Sequence, residues 1–363
     1  MVGPTGPVLV IGTGLIGASI GLALRRAGVA VALADDDEAT LRLATSVGAG
    51  DRLDPSVTPQ LVVVAVPPDH VGAVTADALA RWPKAVVTDV GSVKVKPLRE
   101  IQTSGVPYAR YVGSHPMAGS ERSGPLAAAA DLFDGRAWAV TAHESAELEA
   151  VEDVEALVRV CGATLVRLSP QEHDLAVARV SHLPHVLAVL TANRLVDAPT
   201  ADLALSGQGL RDVTRIAGGD PKLWEQILAA NADAVASLLR DVRKDVDSII
   251  GGLEAAAAVE GSPYGGDELS ALLSRGVEGA AAIPGKHGQP LQATTTLFVL
   301  VPDEPGTLAR LFAAAGEAGV NIEDLRIDHD PGRPVGLMEL SVAESGAEPL
   351  RTALEDRGWA VHR

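Results

Sequence analysis

His115 sits in the run Gly113-Ser-His-Pro-Met-Ala-Gly119, and its imidazole is suited to take up a proton near neutral pH. Ser92, in Gly91-Ser-Val-Lys94, follows the preceding apolar strand and can hydrogen-bond that histidine or a ligand amide. Alone, such a histidine more often holds a loop together and such a serine more often caps a turn. As a pair at the ends of two strands of one sheet, they point to proton chemistry. His182 and His185, in Ser181-His-Leu-Pro-His185, stand three residues apart and share a helix face, with Pro184 loosening the turn between them. No Glu or third His stands at ligand spacing, so a substrate contact or a packed histidine is expected there, and no metal. Arg211 and Arg215 are one helical turn apart in Gly207-Gln-Gly-Leu-Arg-Asp-Val-Thr-Arg-Ile-Ala217. An arginine in such a segment suits bidentate binding of a carboxylate, and pairing with Asp212 is the plainer alternative.

These groups need a scaffold, and it begins at residue 8. Val8 to Ile11 reads as a buried strand, Leu15 onward as a helix closed by Gly28, and between them Gly12, Gly14 and Gly17 stand at G-x-G-x-x-G spacing. Gly12 permits the tight turn, Gly14 lets a pyrophosphate approach the backbone, and Gly17 allows close packing. The phosphate would meet free N–H groups at the helix N-terminus. A second strand over 29–34 ends in Asp35, 23 residues after Gly12, where a carboxylate can accept from ribose hydroxyls. Asp35-Asp-Asp-Glu38 offers no cation for the extra phosphate of NADP, so NAD is the expected cofactor. Leu15, Ile16, Val66, Pro67 and Ser92 complete the cofactor contacts.

Further apolar runs at 61–66, 85–90, 137–141 and 164–168 alternate with helical periodicity, which predicts a doubly wound parallel α/β sheet over residues 1–169. The loop carrying His115 falls after one of its strands. Ser169-Pro-Gln-Glu172 combines a capping box with proline at the first helical position, and a long helix to about 197 should follow. A second helix starts at Asp220-Pro221. In it Leu228, Val235, Val242 and Ile249 recur every seven residues, as do Leu239, Val246 and Leu253. That seam predicts an all-helical substrate and dimerisation domain over 170–285 and a homodimer. Residues 276–290 read as a linker. The remainder, 292–363, has the order βαββαβ of a ferredoxin-like unit, with a hairpin turn at Asp330 to Pro334.

Of 363 residues, 47% are hydrophobic, enough for large cores, and the net charge of −17 favours neither nucleic acid nor an anionic membrane. Cys161 is alone, so neither an internal disulfide nor a cysteine zinc cluster can form. The first apolar run is strand-length and no stretch approaches the ~18–20 residues of a membrane span, so a soluble cytoplasmic protein is expected.

Five segments in order, Gly12-x-Gly-x-x-Gly17, Asp89-Val-Gly-Ser-Val-Lys94, Gly113 to Gly124, Ser181 to His185 and Leu210 to Ala217, resemble the prephenate/arogenate dehydrogenase family of tyrosine biosynthesis. The resemblance covers about residues 8–285, and the tail from Thr294 resembles an ACT domain. It implies NAD-dependent oxidative decarboxylation of prephenate or, alternatively, arogenate. It also implies that His115 accepts the ring hydroxyl proton, that Ser92 aligns His115 and the nicotinamide, and that Arg215 holds a substrate carboxylate. His185 and His182 would line the pocket, with Asp212 and Glu121 in its polar network. Tyrosine feedback at Asp303-Glu-Pro-Gly306 and Asn321 of the ACT-like tail is a further expectation. Val90 departs from the polar residue many relatives carry there. A non-catalytic NAD- and amino-acid-sensing regulator is the alternative of another class, which the combination of His115, Ser92 and Arg215 disfavours. A β-hydroxyacid dehydrogenase-like reductase would use a lysine in the helical domain, and Lys222 and Lys244 lack that context.

Overall fold

The computed structural model describes residues 6–118, 124–258, 266–283, 294–329 and 335–362. The chain forms two compact units, Met1–Ser248 and Ile249–Arg363.

The first unit is built on a five-stranded parallel sheet. β1 (Val8–Ile11), α1 (Leu15–Arg26), β2 (Val31–Ala34), α2 (Glu38–Ser46), β3 (Asp51–Arg52), β4 (Leu61–Val64), α3 (Val71–Arg81), β5 (Val86–Asp89) and α4 (Val95–Thr103) alternate along the chain. The strand order is β3-β2-β1-β4-β5. β4, an unbroken apolar run, is buried at every position, as a strand covered on both faces requires, and so is β5, which ends in the polar pair Thr88 and Asp89. The sheet does not continue as one parallel layer. β6 (Gly113–Pro116), β7 (Ala137–Thr141) and β8 (Thr164–Arg167) form a second, three-stranded sheet, with α5 (Leu148–Val160) between β7 and β8. β6 runs antiparallel to β7, and a single bridge, Val87 to Tyr111, links the two sheets. His115 therefore lies within a strand, opposite Ala139, and not in the loop after one.

The helical part starts at the expected place: Ser169 and Glu172 form the reciprocal capping box at α6 (Pro170–Val177). A π-helical turn, Ala178–His182, then leads into α7 (Leu183–Asn193). Pro184 has no N–H for the carbonyl one turn back, and the wider turn accommodates that loss. The stretch Pro170–Asn193 is 24 residues long and its most apolar 18-residue window has a mean hydropathy of 1.4, long and apolar enough to span a bilayer, contrary to the sequence-based expectation. Its His173, Asp174 and His182, however, bond within this unit, as described below. Short helices α8 (Thr200–Leu203) and α9 (Gln208–Thr214) follow. The helix expected from Asp220 is two helices, α10 (Pro221–Ala230) and α11 (Ala232–Ala258), broken at Asn231, whose side chain is turned inward to bond other elements.

In the second unit, α12 (Gly266–Ala281) occupies part of the segment read as linker. β9 (Thr294–Pro302), α13 (Thr307–Glu317), β10 (Ile322–His329), β11 (Val335–Ala343), α14 (Glu344–Glu355) and β12 (Val361–His362) give the expected βαββαβ order, in an antiparallel sheet β10-β11-β9-β12. Alternate residues of β9 and β11, including Leu297, Val299, Met338 and Leu340, pack with Leu311, Leu350 and Leu354 of the helices. The 330–334 turn lies outside the described residues.

Candidate active site

The glycine turn separates its three roles cleanly. Gly12 has φ +91°, and a Cβ there would stand 2.5 Å from the Ala65 carbonyl oxygen. A Cβ on Gly17 would stand 1.9 Å from the Gly12 oxygen. A Cβ on Gly14 would meet nothing within 4 Å. Two glycines thus close the turn against β4, and the third leaves open space in front of an α1 N-terminus that no side chain caps. That combination is a fit for a pyrophosphate. The Asp35 carboxylate accepts from the Thr13 N–H at 2.6 Å and the Thr13 hydroxyl at 2.7 Å, so it anchors the turn itself. Its other oxygen accepts from the Asp37 N–H at 3.0 Å. A carboxylate has about four lone-pair sites, which leaves acceptor capacity for a ribose hydroxyl. Leu15, Ile16 and Val66 are half-buried beside the turn and Pro67 is exposed.

β6 is held to β5 by buried polar groups in place of a ladder. The Lys94 ammonium pairs with the Asp89 carboxylate, both essentially inaccessible, and donates to the Ser114 carbonyl at 2.7 Å. Tyr111 donates to Asp89 at 2.7 Å, and Ser114 donates to the Asp89 carbonyl at 2.9 Å. Burial lowers the Lys94 pKa while Asp89 opposes the shift, and burial together with Asp89 raises Tyr111 well above the usual phenol range. Gly113 is required here, because a Cβ would press on Thr141, the Lys94 stem and the Tyr111 hydroxyl. Removing either partner of the Lys94–Asp89 pair would strand a buried charge.

This network presents His115 to the helices. His115 Nδ1 and His173 Nε2 of α6 are 2.9 Å apart, and His173 Nδ1 lies 2.8 Å from the Asp174 carboxylate. Asp174 in turn accepts from the backbone N–H groups of Lys94 at 2.8 Å and Val95 at 2.9 Å, capping α4 from another helix. Asn231 donates to the Asp174 carbonyl at 2.7 Å and to His182 Nδ1 at 3.2 Å. His182 lies edge-on to the Trp224 ring, and His185 stacks on that ring at 3.4 Å between centroids. Gly219 makes room for the stack: a Cβ there would stand 2.5 Å from the Trp224 nitrogen. His185 also bonds the backbone of Ile216, the neighbour of Arg215. Burial drives His115 well below the usual imidazole range, with His173, Lys94 and His182 adding to it. Burial brings His182 down to about 4. A histidine kept neutral in this way has a lone pair to offer at neutral pH.

His115, His182, His185 and the Arg215 turn are therefore joined by one continuous series of contacts. Arg215 is exposed, and its guanidinium has no partner among the described residues. Asp212 does not pair with it, accepting instead from Gln208 at 2.9 Å. Ser92 is half-buried and makes no hydrogen bond to His115 among the described residues; His173 takes the place expected of it. Glu121 lies outside the described residues. Sequence reasoning missed His173, Asp174, Lys94, Asn231 and Trp224. The adjacent His173-Asp174 pair, four residues into a capped helix, was the available signal.

The comparisons with known proteins agree along the chain. Residues 20–167 match the model of the prephenate dehydrogenase nucleotide-binding domain, and residues 169–260 that of the prephenate dehydrogenase dimerization domain. A probable prephenate dehydrogenase, NovF of Streptomyces niveus, is 39% identical over 98% of this chain and 99% of its own length. Prephenate dehydrogenase of Bacillus subtilis is 28% identical over 88% of this chain and 87% of its own. Among solved structures, prephenate dehydrogenase from A. aeolicus, in complex with hydroxyphenyl propionate and NAD+, superposes with a TM-score of 0.67 at 27% identity, covering 76% of this chain and 97% of that one. Synechocystis arogenate dehydrogenase gives 0.63 at 25% identity, covering 76% and 98%. With an open glycine turn, a half-buried histidine held neutral on the adjoining sheet and relatives matched from end to end, the chain belongs to the prephenate dehydrogenase family of NAD-dependent oxidoreductases.

Proposed function

We propose that this protein carries out the oxidative decarboxylation of prephenate to 4-hydroxyphenylpyruvate, with His115 as the general base. The observation that carries this reading is the neutral imidazole of His115, backed by His173 and Asp174, on a strand packed beside the nucleotide-binding sheet. Bound NAD supplies the acceptor for the hydride that leaves the hydroxyl-bearing ring carbon. Gly12, Gly14 and Gly17 with Leu15, Ile16, Val66 and Pro67 hold the cofactor, and Asp35 takes its ribose. His115 accepts the hydroxyl proton as the carbonyl forms, and loss of CO2 then makes the ring aromatic and the reaction irreversible. Ser92, with no hydrogen-bond partner among the described residues, is left to the substrate hydroxyl or the carboxamide. Arg215, unpaired among the described residues, takes a substrate carboxylate, with His185 and His182 lining the ring pocket and Asp212 and Glu121 in the polar surround. A second reading, arogenate as substrate at the same site, has the support of the fold likeness to an arogenate dehydrogenase.

We assign residues 1–169 to cofactor binding, 170–285 to substrate binding and dimerisation, and 292–363 to regulation. The dimerization-domain match and the exposed Val246 and Leu253 of the heptad seam support a homodimer. In the tail, Gly306 (φ +83°) starts α13, and Asn321 donates to Glu323, the two places assigned to tyrosine. The enzyme would work in the cytoplasm. The deciding experiment follows NADH formation with prephenate and then arogenate, each with NAD and NADP, with and without millimolar tyrosine. Turnover of neither acid rejects the function; turnover of arogenate alone selects the second reading.

A further inference from the structure

We infer that His173 and Asp174 form a positioning pair that fixes which nitrogen of His115 carries its proton. The inference rests on the role proposed for His115 and adds what makes that role possible. The Asp174 carboxylate faces three donors: the N–H groups of Lys94 and Val95 and Nδ1 of His173. A carboxylate surrounded in this way accepts only, so His173 must carry its proton on Nδ1. A neutral His173 then has a lone pair at Nε2. His115 Nδ1, 2.9 Å away, must therefore be the donor, and the lone pair of His115 is left on Nε2. One anion thus sets two tautomers in series, and the imidazolium formed when His115 takes a proton has a hydrogen-bonded path to a negative charge. The other charged or titratable groups facing this pair are Lys94, Asp89 and Tyr111 from β5, α4 and the β6 approach, and His182 from the π turn.

Lys94 N–H and His173 Nδ1 share one Asp174 oxygen, so an amide oxygen could still serve both, and the variant that tests the pair is one that removes the acceptor. In Asp174→Ala nothing ties the His173 proton to Nδ1, and the pair can exchange into the opposite tautomers, which takes the lone pair from His115 Nε2. The expected loss in kcat is ~10²–10⁴-fold, the usual worth of a general base. His173→Gln keeps an oxygen where Nε2 stood and should retain at least ~10-fold more kcat than His173→Leu. In the His173→Gln background, Asp174→Ala should cost little further, because Asp174 acts through His173. Asp174 also caps α4, and that part of its effect should appear equally in both backgrounds as a fall in Tm. A readout that needs no substrate is the 15N spectrum of histidine-labelled full-length enzyme. The His115 resonances should show protonated Nδ1 and bare Nε2 in the wild type, and a shift toward the reverse in Asp174→Ala. The inference is overturned if those resonances are unchanged by Asp174→Ala, or if that substitution costs as much kcat with His173→Gln as without it. A wild-type enzyme that oxidises neither prephenate nor arogenate, yet shows the expected resonances, would refute the assigned reaction and leave the tautomer assignment standing.

Discussion

At the glycine turn, the parts that meet are close in sequence or follow from the βαβ path: Gly12 touches Ala65, Gly17 touches Gly12, and Thr13 bonds Asp35. At the histidine cluster, β6, the β5–α4 connection, α6, the π turn, α10 and the Asn231 break each contribute one or two groups. The turn is largely a backbone device, shaped by where a Cβ cannot stand. The cluster is a side-chain device, buried and chained through hydrogen bonds in which each partner decides the protonation of the next. The two should therefore fail differently. Damage to the turn should affect cofactor affinity or local packing. Damage to the cluster should affect turnover and the response to pH.

The largest effect is expected from His115→Asn. NAD affinity should stay near wild type while kcat falls by ~10²–10⁴, the usual worth of a general base; near-normal turnover would remove the base from the cluster. Acid stability should come next. His182 titrates at about 4 in the fold, and His115 is also depressed. Unfolded histidine binds its proton near ~6.5, so between that pH and about 4 the unfolded chain holds more protons than the native one. Stability is then highest above pH ~6.5 and falls as the pH drops through this window, by about 3 kcal/mol for His182 alone. Denaturant titrations of the wild type and His182→Asn at several pH values check this, and parallel curves would contradict it.

The glycine pair offers the sharpest contrast within the turn. Gly17→Ala places a Cβ against a backbone oxygen and should lower stability by ~1–3 kcal/mol. Gly14→Ala meets nothing in the free chain and has φ −65°, so its melting temperature should hold while its NAD dissociation constant rises about 10-fold. Equal stability losses in both would erase the distinction. The smallest effect is assigned to Arg215→Ala, where the KM for substrate should rise roughly 10-fold with kcat much less affected, as when binding common to ground and transition states is removed.

The elements that could be read in advance are those whose cause is local. The turn glycines, the Ser169 capping box and the βαββαβ alternation of the tail all lie at their expected places. The errors share a different origin. The second sheet breaks away where Lys94, Asp89 and Tyr111 replace a strand ladder, and no run of residues at 111–116 announces that. Asn231 breaks the long helix to reach Asp174 and His182, which are 57 and 49 residues away. Ser92 was paired with His115 because both end strands; the actual partner comes from the first helix beyond the sheet.

The amino-acid order by itself determined the glycine turn, the capped start of the helical part and the βαββαβ order of the tail, because glycine conformation, helix capping and hydrophobic period act over a few residues. Only the tertiary structure decided which group stands behind His115 and where its proton resides. That choice depends on hydrogen bonds between residues 58 and 80 positions apart, and nothing in a local pattern encodes which distant donor will face which acceptor.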